Sequence, residues 1–267
     1  MMNVLSIDWD YFFPDLYPFD WSHSEEAMFY MEALWAMRAN NRPNMDKNAP
    51  CAAESVHPTG HQGFLEQVCK EEPIFLWIVE SHKDIVKLLE QFVNSFPRAP
   101  RLNVWNFDQH HDLYYGEPTP IQELNCGNWV QYAIERNLIQ DYHLIYPEWR
   151  KDHPEGGNIL HTAQLLPSTD KTGNTHLTSV YYGFDMVKNL LPDDFDHVFI
   201  CRSSAWTPPW ADAEWFKFLS FFHKFDVWNR KVHVPYVMDM RSPNKEEAIQ
   251  FAKEQDKAIE ELMVKRG

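Results

Sequence analysis

Cationic side chains are scarce in this chain: Lys and Arg number 24 against 39 Asp and Glu, a formal net charge of -15 over 267 residues. Such an acid excess argues against the phosphate backbone of DNA or RNA as a partner and favours a cationic one. Part of it serves ordinary solubility. Long apolar runs are lacking too, so no membrane span is expected. No signal-peptide pattern precedes the first strand-like segment, which makes the cytoplasm the expected compartment. The 4 cysteines, at 51, 69, 126 and 201, are scattered and fit reduced thiols there. Neither an internal repeat nor a low-complexity tract interrupts the chain.

Apolar and aromatic residues are plentiful. They make up 44% and 15% of the chain, with 11 Trp and 18 Phe, enough for a large packed core and too many for a disordered segment. Strand-like runs occur at 3–13 (NVLSIDWDYFF), 74–79 (IFLWIV), 101–107, 143–146, 178–184 (TSVYYGF), 197–203 (HVFICRS) and 232–240 (VHVPYVMDM). Between them, helical patterns run over 24–40, 82–96, 126–137, 211–223 and 244–265. Alternation of this kind predicts a three-layer α/β protein with a mainly parallel sheet. A Pro-, Asn-, His- and Gly-rich excursion at 41–63 either covers a site or is a disordered insertion. No boundary between domains is evident, so residues 1–267 are expected to form one.

The stretch RLNVWNFDQHHDLYY, residues 101–115, carries the densest chemistry. In extended chain, side chains alternate, so Asp108, His110 and Asp112 would share one face. Asp8 and Asp10 end the first strand with the same two-residue spacing, and Glu80 and His82 end another. In parallel α/β sheets, ligands gather beyond the carboxyl ends of the strands. Carboxylates that close repel one another unless a cation lies between them; the plainer reading is a set of solvated strand ends. Asp8, Asp10, His82, Asp108, His110 and Asp112 together offer too much oxygen for structural zinc and too much nitrogen for simple calcium. Manganese or a similar divalent transition ion fits, and six ligands suggest two ions, about 3.5 Å apart, that acidify a shared water.

Neighbouring residues have competing readings. His111 should point away from its neighbours, into the core, unless it shuttles protons. Glu80 either holds a guanidinium, orients His82 or is a solvated strand end. Asp239 either pairs a guanidinium or caps a helix. Asn128 and Trp129 are explained by capping and packing, and Cys51, His57, His61 and Cys69 form a loosely spaced zinc candidate.

Asp-x-His-x-Asp at 108–112 and SIDWD at 6–10 resemble the two manganese-binding motifs of the arginase and ureohydrolase superfamily, with His82 in the place of a further histidine that ends an earlier strand. Glu-x-His at 80–82, DWDYFF and SSAWTPPW resemble more closely the group containing peptide arginases, which convert arginine side chains of ribosomal peptides to ornithine. That resemblance implies two Mn2+ ions bridged by Asp108 and Asp8, one completed by His82 and Asp112, the other by His110 and Asp10. It further implies an arginine-containing precursor peptide as partner and release of urea; on that reading Asp112, His111 and Glu80 are candidates for catalytic parts, Asp239 for pairing the guanidinium, and Trp9, Tyr11 and Trp206 for lining its methylene stem. Ser-x-Asp-x-Asp comes late in ordinary arginases and first here, which implies a circularly permuted order of the arginase-like sheet. The family's Gly-Gly-Asp-His is replaced by Val79-Glu80-Ser81-His82, and residues that hold the backbone of free arginine have no counterpart. Two other readings compete. One is a haloacid-dehalogenase-like phosphatase using Asp8 and Asp10, with a later Lys and an acid pair such as Asp193-Asp194. The other is a non-catalytic peptide-binding protein that keeps its metal as structure.

Overall fold

A computed structural model describes residues 2–14, 31–43, 46, 48–96, 101–113, 122–152, 168–169, 175–225, 232–233 and 239–264. The chain divides into two compact units. The first comprises Met1–Tyr11, Gly63–Ser203 and Phe221–Val237; the second comprises Phe12–Gln62, Ser204–Ser220 and Met238–Gly267.

The first unit is built on one sheet. Its strands are β1 (Met2–Asp8), β2 (Phe75–Val79), β3 (Leu102–Phe107), β4 (Ile139–Tyr146), β5 (Ser168–Thr169), β6 (Thr175–Tyr182), β7 (His197–Cys201) and β8 (Val232–His233). Their order is β5-β6-β4-β3-β1-β7-β2-β8. Every pairing from β6 to β8 is parallel, and only β5 runs antiparallel, at one edge. β3 and β7 (LNVWNF and HVFIC) are buried at every residue, the mark of strands covered on both faces. The predicted three-layer α/β architecture with a mainly parallel sheet is the architecture found.

Register explains which residues go inside. Val4, Val104, Leu144 and Phe199 lie on one face, packed under helices α4 (Ile85–Ser95) and α5 (Trp129–Glu135). α4 buries Ile85, Val86, Leu88, Leu89 and Phe92, a stripe at helical spacing. Phe107 projects to the other face, where Phe64, from the short helix α3 (Phe64–Val68), meets it edge-on at 5.0 Å. Burying these side chains stabilises the unit by roughly 1.5–3 kcal/mol each. On the first face the apolar pattern breaks at Ser6 and Asn106, register partners that are fully buried just below the carboxyl ends of β1 and β3.

The second unit is helical. It contains α1 (Met31–Arg38), α2 (Ala52–Ser55), α6 (Asp212–Leu219) and α7 (Lys245–Val264). Arg241 ties it together: its guanidinium donates to Asp212, to the carbonyls of Ser204 (3.1 Å) and Thr207 (2.9 Å), and to that of Pro208 (3.4 Å). The excursion at 41–63 lies in this unit except for Gly63, and it buries Cys51, Ala52, Ala53 and Val56. Of the helix expected at 24–40, Met31–Arg38 is described and 24–30 lies outside the described residues. The strand expected at 232–240 is observed at Val232–His233, with 234–238 likewise outside. Among the described residues no helix is long and apolar enough to cross a membrane.

Candidate metal centre

The carboxyl ends of β3, β1, β7 and β2 are adjacent in the sheet, and each delivers side chains to one cluster. β1 ends at Asp8, and the chain turns at once into a short 3-10 helix (Trp9–Phe12). The turn is fixed by the Asp10 backbone N–H, which donates to Asp8 Oδ1 at 3.1 Å. β3 ends at Phe107, and Asp108 accepts the His110 N–H at 2.8 Å. Asp112 then adopts a left-handed backbone, φ 51°, a conformation Asp tolerates better than most residues. Strand alternation therefore does not persist past 107 or past 8. Both pairs converge because side-chain carboxylates capture backbone N–H groups in tight turns.

All six sequence-predicted ligands meet. His82 Nδ1 stands 3.0 Å from Asp108 Oδ2, 3.1 Å from Asp8 Oδ2 and 3.3 Å from Asp112 Oδ2. His110 Nδ1 stands 3.1 Å from Asp10 Oδ2 and 3.7 Å from Asp108 Oδ1. Two triads thus form, Asp8–His82–Asp108 and Asp10–Asp108–His110, and Asp108 belongs to both. An octahedral ion with bonds of about 2.1 Å holds adjacent donors about 3.0 Å apart, so these spacings suit coordination. Asp10 supplies the sharper test. The residue is fully buried, yet neither carboxylate oxygen receives a hydrogen bond. A buried carboxylate without donors is costly unless a cation meets it. These buried Asp and His groups can hold a metal ion.

Neighbouring charges agree with that reading. Burial, then the charges of Asp10 and Asp108, push the Asp8 carboxyl up to about 7. Burial and the Asp108 charge likewise hold Asp112 well above the usual carboxylate range. Burial would by itself lower the His82 pKa, but hydrogen bonds and charge from Asp108 and Asp8 raise it well above that of an ordinary histidine. For Asp108, burial pulls upward while hydrogen bonding and charge from His82 and the His110 charge win, leaving it lowered. Metal-free, the cluster makes protons do the work of cations.

A second ring of side chains holds the ligands. Ser6 Oγ lies 2.8 Å from His82 Nε2; a ring that donates Nε2–H there presents the lone pair of Nδ1 to the cluster. Ser203 Oγ donates to Asp8 Oδ2 at 2.5 Å, Trp129 Nε1 to Asp112 Oδ2 at 2.6 Å and Asn106 Nδ2 to Asp108 Oδ2 at 3.2 Å. Sequence reasoning gave Trp129 to packing and passed over Ser203. Ser6 and Asn106 did leave a signal, as polar residues at inward positions of otherwise apolar strands.

Compared with protein-family models, curated proteins and solved structures, the chain matches none.

The remaining candidates are placed as follows. His111 is fully buried and turned inward, its Nδ1 accepting the Leu113 N–H at 3.0 Å. Glu80 is paired within the chain, with Arg202 at the end of β7: Arg202 Nε donates to Oε2 at 3.2 Å and Nη2 to Oε1. Trp9 is fully buried, and Tyr11 packs edge-on against Phe107 at 5.6 Å, so core packing accounts for both. Asp239 is exposed and Trp206 half-buried, both in the second unit. Asp193 and Asp194 are exposed in the segment before β7, at the opposite end of that strand from the cluster, and Asp193 faces Lys70 at 3.5 Å. The acid pair named for the phosphatase reading thus lies away from the cluster. Among the described residues, neither group of potential metal ligands includes a cysteine, His57 or His61.

Proposed function

We propose that the first unit is a binuclear manganese hydrolase that converts peptidyl arginine to ornithine with release of urea. The observation that carries this reading is the pair of triads sharing Asp108. His82, Asp8, Asp108 and Asp112 would hold one ion, and Asp10, Asp108 and His110 the other. Four carboxylates balance the charge of two divalent ions, and the donor set of oxygen and imidazole nitrogen without sulfur suits manganese. Such ions, when bound, supply a water acidified towards neutrality as nucleophile.

The chain's own part is to place these groups and to receive charge. Water adds to the guanidinium carbon, the bond from that carbon to the side-chain nitrogen breaks, and the nitrogen gains a proton; arginyl plus water gives ornithyl plus urea. A guanidinium carbon is a poor electrophile because its charge is spread over three nitrogens, so orientation and fixed negative charge must supply much of the acceleration. The acid excess of the chain draws a cationic side chain in. Support for arginine comes from the motif resemblance at 6–10 and 108–112, and support for a peptide from the missing counterparts of residues that hold free arginine.

The test is direct. Manganese-loaded protein is incubated with arginine-containing peptides and with free arginine, and urea and peptide mass are measured. Urea together with peptides lighter by 42 Da, the mass of the lost CH2N2, supports the proposal. Urea from free arginine alone overturns the peptide assignment, and no urea from a broad peptide set favours the non-catalytic reading.

A further inference from the structure

Asn106, the brace of Asp108, is oriented to serve its neighbour rather than itself. Its Nδ2 makes two hydrogen bonds, donating to Asp108 Oδ2 at 3.2 Å and to the Tyr142 hydroxyl at 2.9 Å. Its Oδ1, in a fully buried residue, has no partner. A buried acceptor left bare costs free energy, so something must hold the amide this way round. Turned over, it would set a carbonyl oxygen against the Asp108 carboxylate. The tyrosine hydroxyl prevents that. Its hydrogen points at the His111 carbonyl, 3.4 Å away, so it offers Asn106 a lone pair that only Nδ2 can use.

Tyr142 belongs to β4, a strand that contributes none of the six clustered side chains. It is buried, pairs with Val104 across the strands and packs its ring edge-on against Trp129 at 5.9 Å. The same Trp129 donates to Asp112. One tyrosine thus meets the braces of Asp108 and Asp112 together with the carbonyl of His111, the residue before Asp112. Asp108 itself spends one lone pair of each oxygen inside the chain, Oδ1 on the His110 N–H and Oδ2 on the Asn106 amide. A further lone pair on each is left to face a cation.

We infer that Tyr142 is a positioning residue of the metal centre. Through the Asn106 amide it sets the direction of Asp108 Oδ2, the oxygen 3.0 Å from His82 Nδ1. This inference rests on the manganese reading above, and not on the reaction or its substrate.

The experiment titrates chelator-stripped full chain with Mn2+ chloride, follows free ion by its paramagnetic resonance signal, and records Tm of the same samples without metal. Tyr142→Phe removes one oxygen and keeps the ring against Trp129. Asn106→Leu keeps the bulk of the amide and removes its donor. Each should weaken manganese binding about 10–100-fold. Because the hydroxyl acts through the amide, Tyr142→Phe should add nothing once Asn106→Leu is present, and the double variant should match Asn106→Leu to within about twofold in Kd. A role in stability alone would lower the metal-free Tm and leave Kd in place. Native affinity in Tyr142→Phe, a further loss of about tenfold in the double variant, or failure of Tyr142→Phe to fold would each overturn the inference. Absence of manganese binding by the native chain would overturn the metal reading itself.

Discussion

Asp108 is the residue on which both triads depend, and its replacement by Asn gives the most exacting test of the site. Oδ2 of Asp108 lies 3.0 Å from His82 Nδ1, while Oδ1 accepts the His110 N–H at 2.8 Å. Asn keeps the shape and one acceptor, which can still serve that N–H. It replaces the other oxygen by an NH2 group, a donor where an ion needs a lone pair. In the native chain, an ion present at 100 times its Kd stabilises the folded form by about 2.7 kcal/mol. For a unit of this size each kcal/mol moves Tm by about 2–4 °C, so manganese should raise Tm by about 5–10 °C per ion. Asp108→Asn should lose about one ion's share of that gain, because the position beside His82 loses a ligand atom and the bridging charge is removed, and its Tm should respond correspondingly less to a chelator. Thermal unfolding followed by fluorescence, with and without manganese, reads the difference. Retention of the full manganese shift by Asp108→Asn would show that Asp108 does not hold the ions.

Two further outcomes can be checked on the protein without its metal. Glu80→Gln leaves the Arg202 guanidinium, 3% exposed, without its carboxylate, and should cost about 3 kcal/mol in urea denaturation; a loss below 1 kcal/mol would make that pair incidental. His197 lies far from the cluster, at the first residue of β7, stacked on Phe75 at 4.9 Å, and neither of its ring nitrogens has a hydrogen-bond partner. Burial holds its pKa below the ordinary 6.5, against the opposing charge of Asp196. Its neutral form thus contributes stability that is complete above pH 6.5 and lost as pH falls through the lower folded-state value. Each further pH unit in that window costs up to about 1.4 kcal/mol, and His197→Phe should flatten the fall; an unchanged slope would sink this account.

Much of the sheet can be read directly from local pattern. Apolar runs ending at Val79 and Cys201 became β2 and β7 because strands buried on both faces need no polar alternation. The helical pattern from 82 became a 3-10 turn leading into α4, since its apolar stripe matches a 3.6-residue period. The first strand, expected to run to Phe13, stops at Asp8, where a carboxylate competes for the backbone N–H of Asp10. Propensity scales carry no such local competition. The six clustered side chains were legible by residue type and position, although the alternation argument used to join them fails once the strands end. Their supports were not legible: Ser203 reaches Asp8 across 195 residues, and Trp129 reaches Asp112 from another element. Contacts of that kind belong to the assembled sheet and leave no periodicity behind.

Among the described residues, several broken local rules gather at one place. Of the three non-glycine residues with positive φ among the described residues, Asn137 follows α5, where Asn commonly closes a helix. The other two, Asp112 and Ser203, both belong to the same cluster, one as a carboxylate and one as a hydroxyl that donates to Asp8. Left-handed backbone costs roughly 1–2 kcal/mol at such residues. Asp10 adds a buried carboxylate without donors, and Asp8 and Asp112 add carboxyls that the metal-free chain cannot comfortably ionise. Separately, each exception would be an unexplained loss of stability. Together they have one physical cause: the carboxyl ends of adjacent strands are shaped for positive charge that the chain itself does not supply. His82, whose pKa Asp108 and Asp8 raise, offsets only part of that missing charge. A bound cation would displace that proton and meet the lone pairs of Asp10, relieving repulsion, strain and missing hydrogen bonds at the same time. Strain that persists in a folded chain marks a site whose surroundings over-determine it, and here those surroundings are the four braces at the ends of β1, β3, β7 and α5.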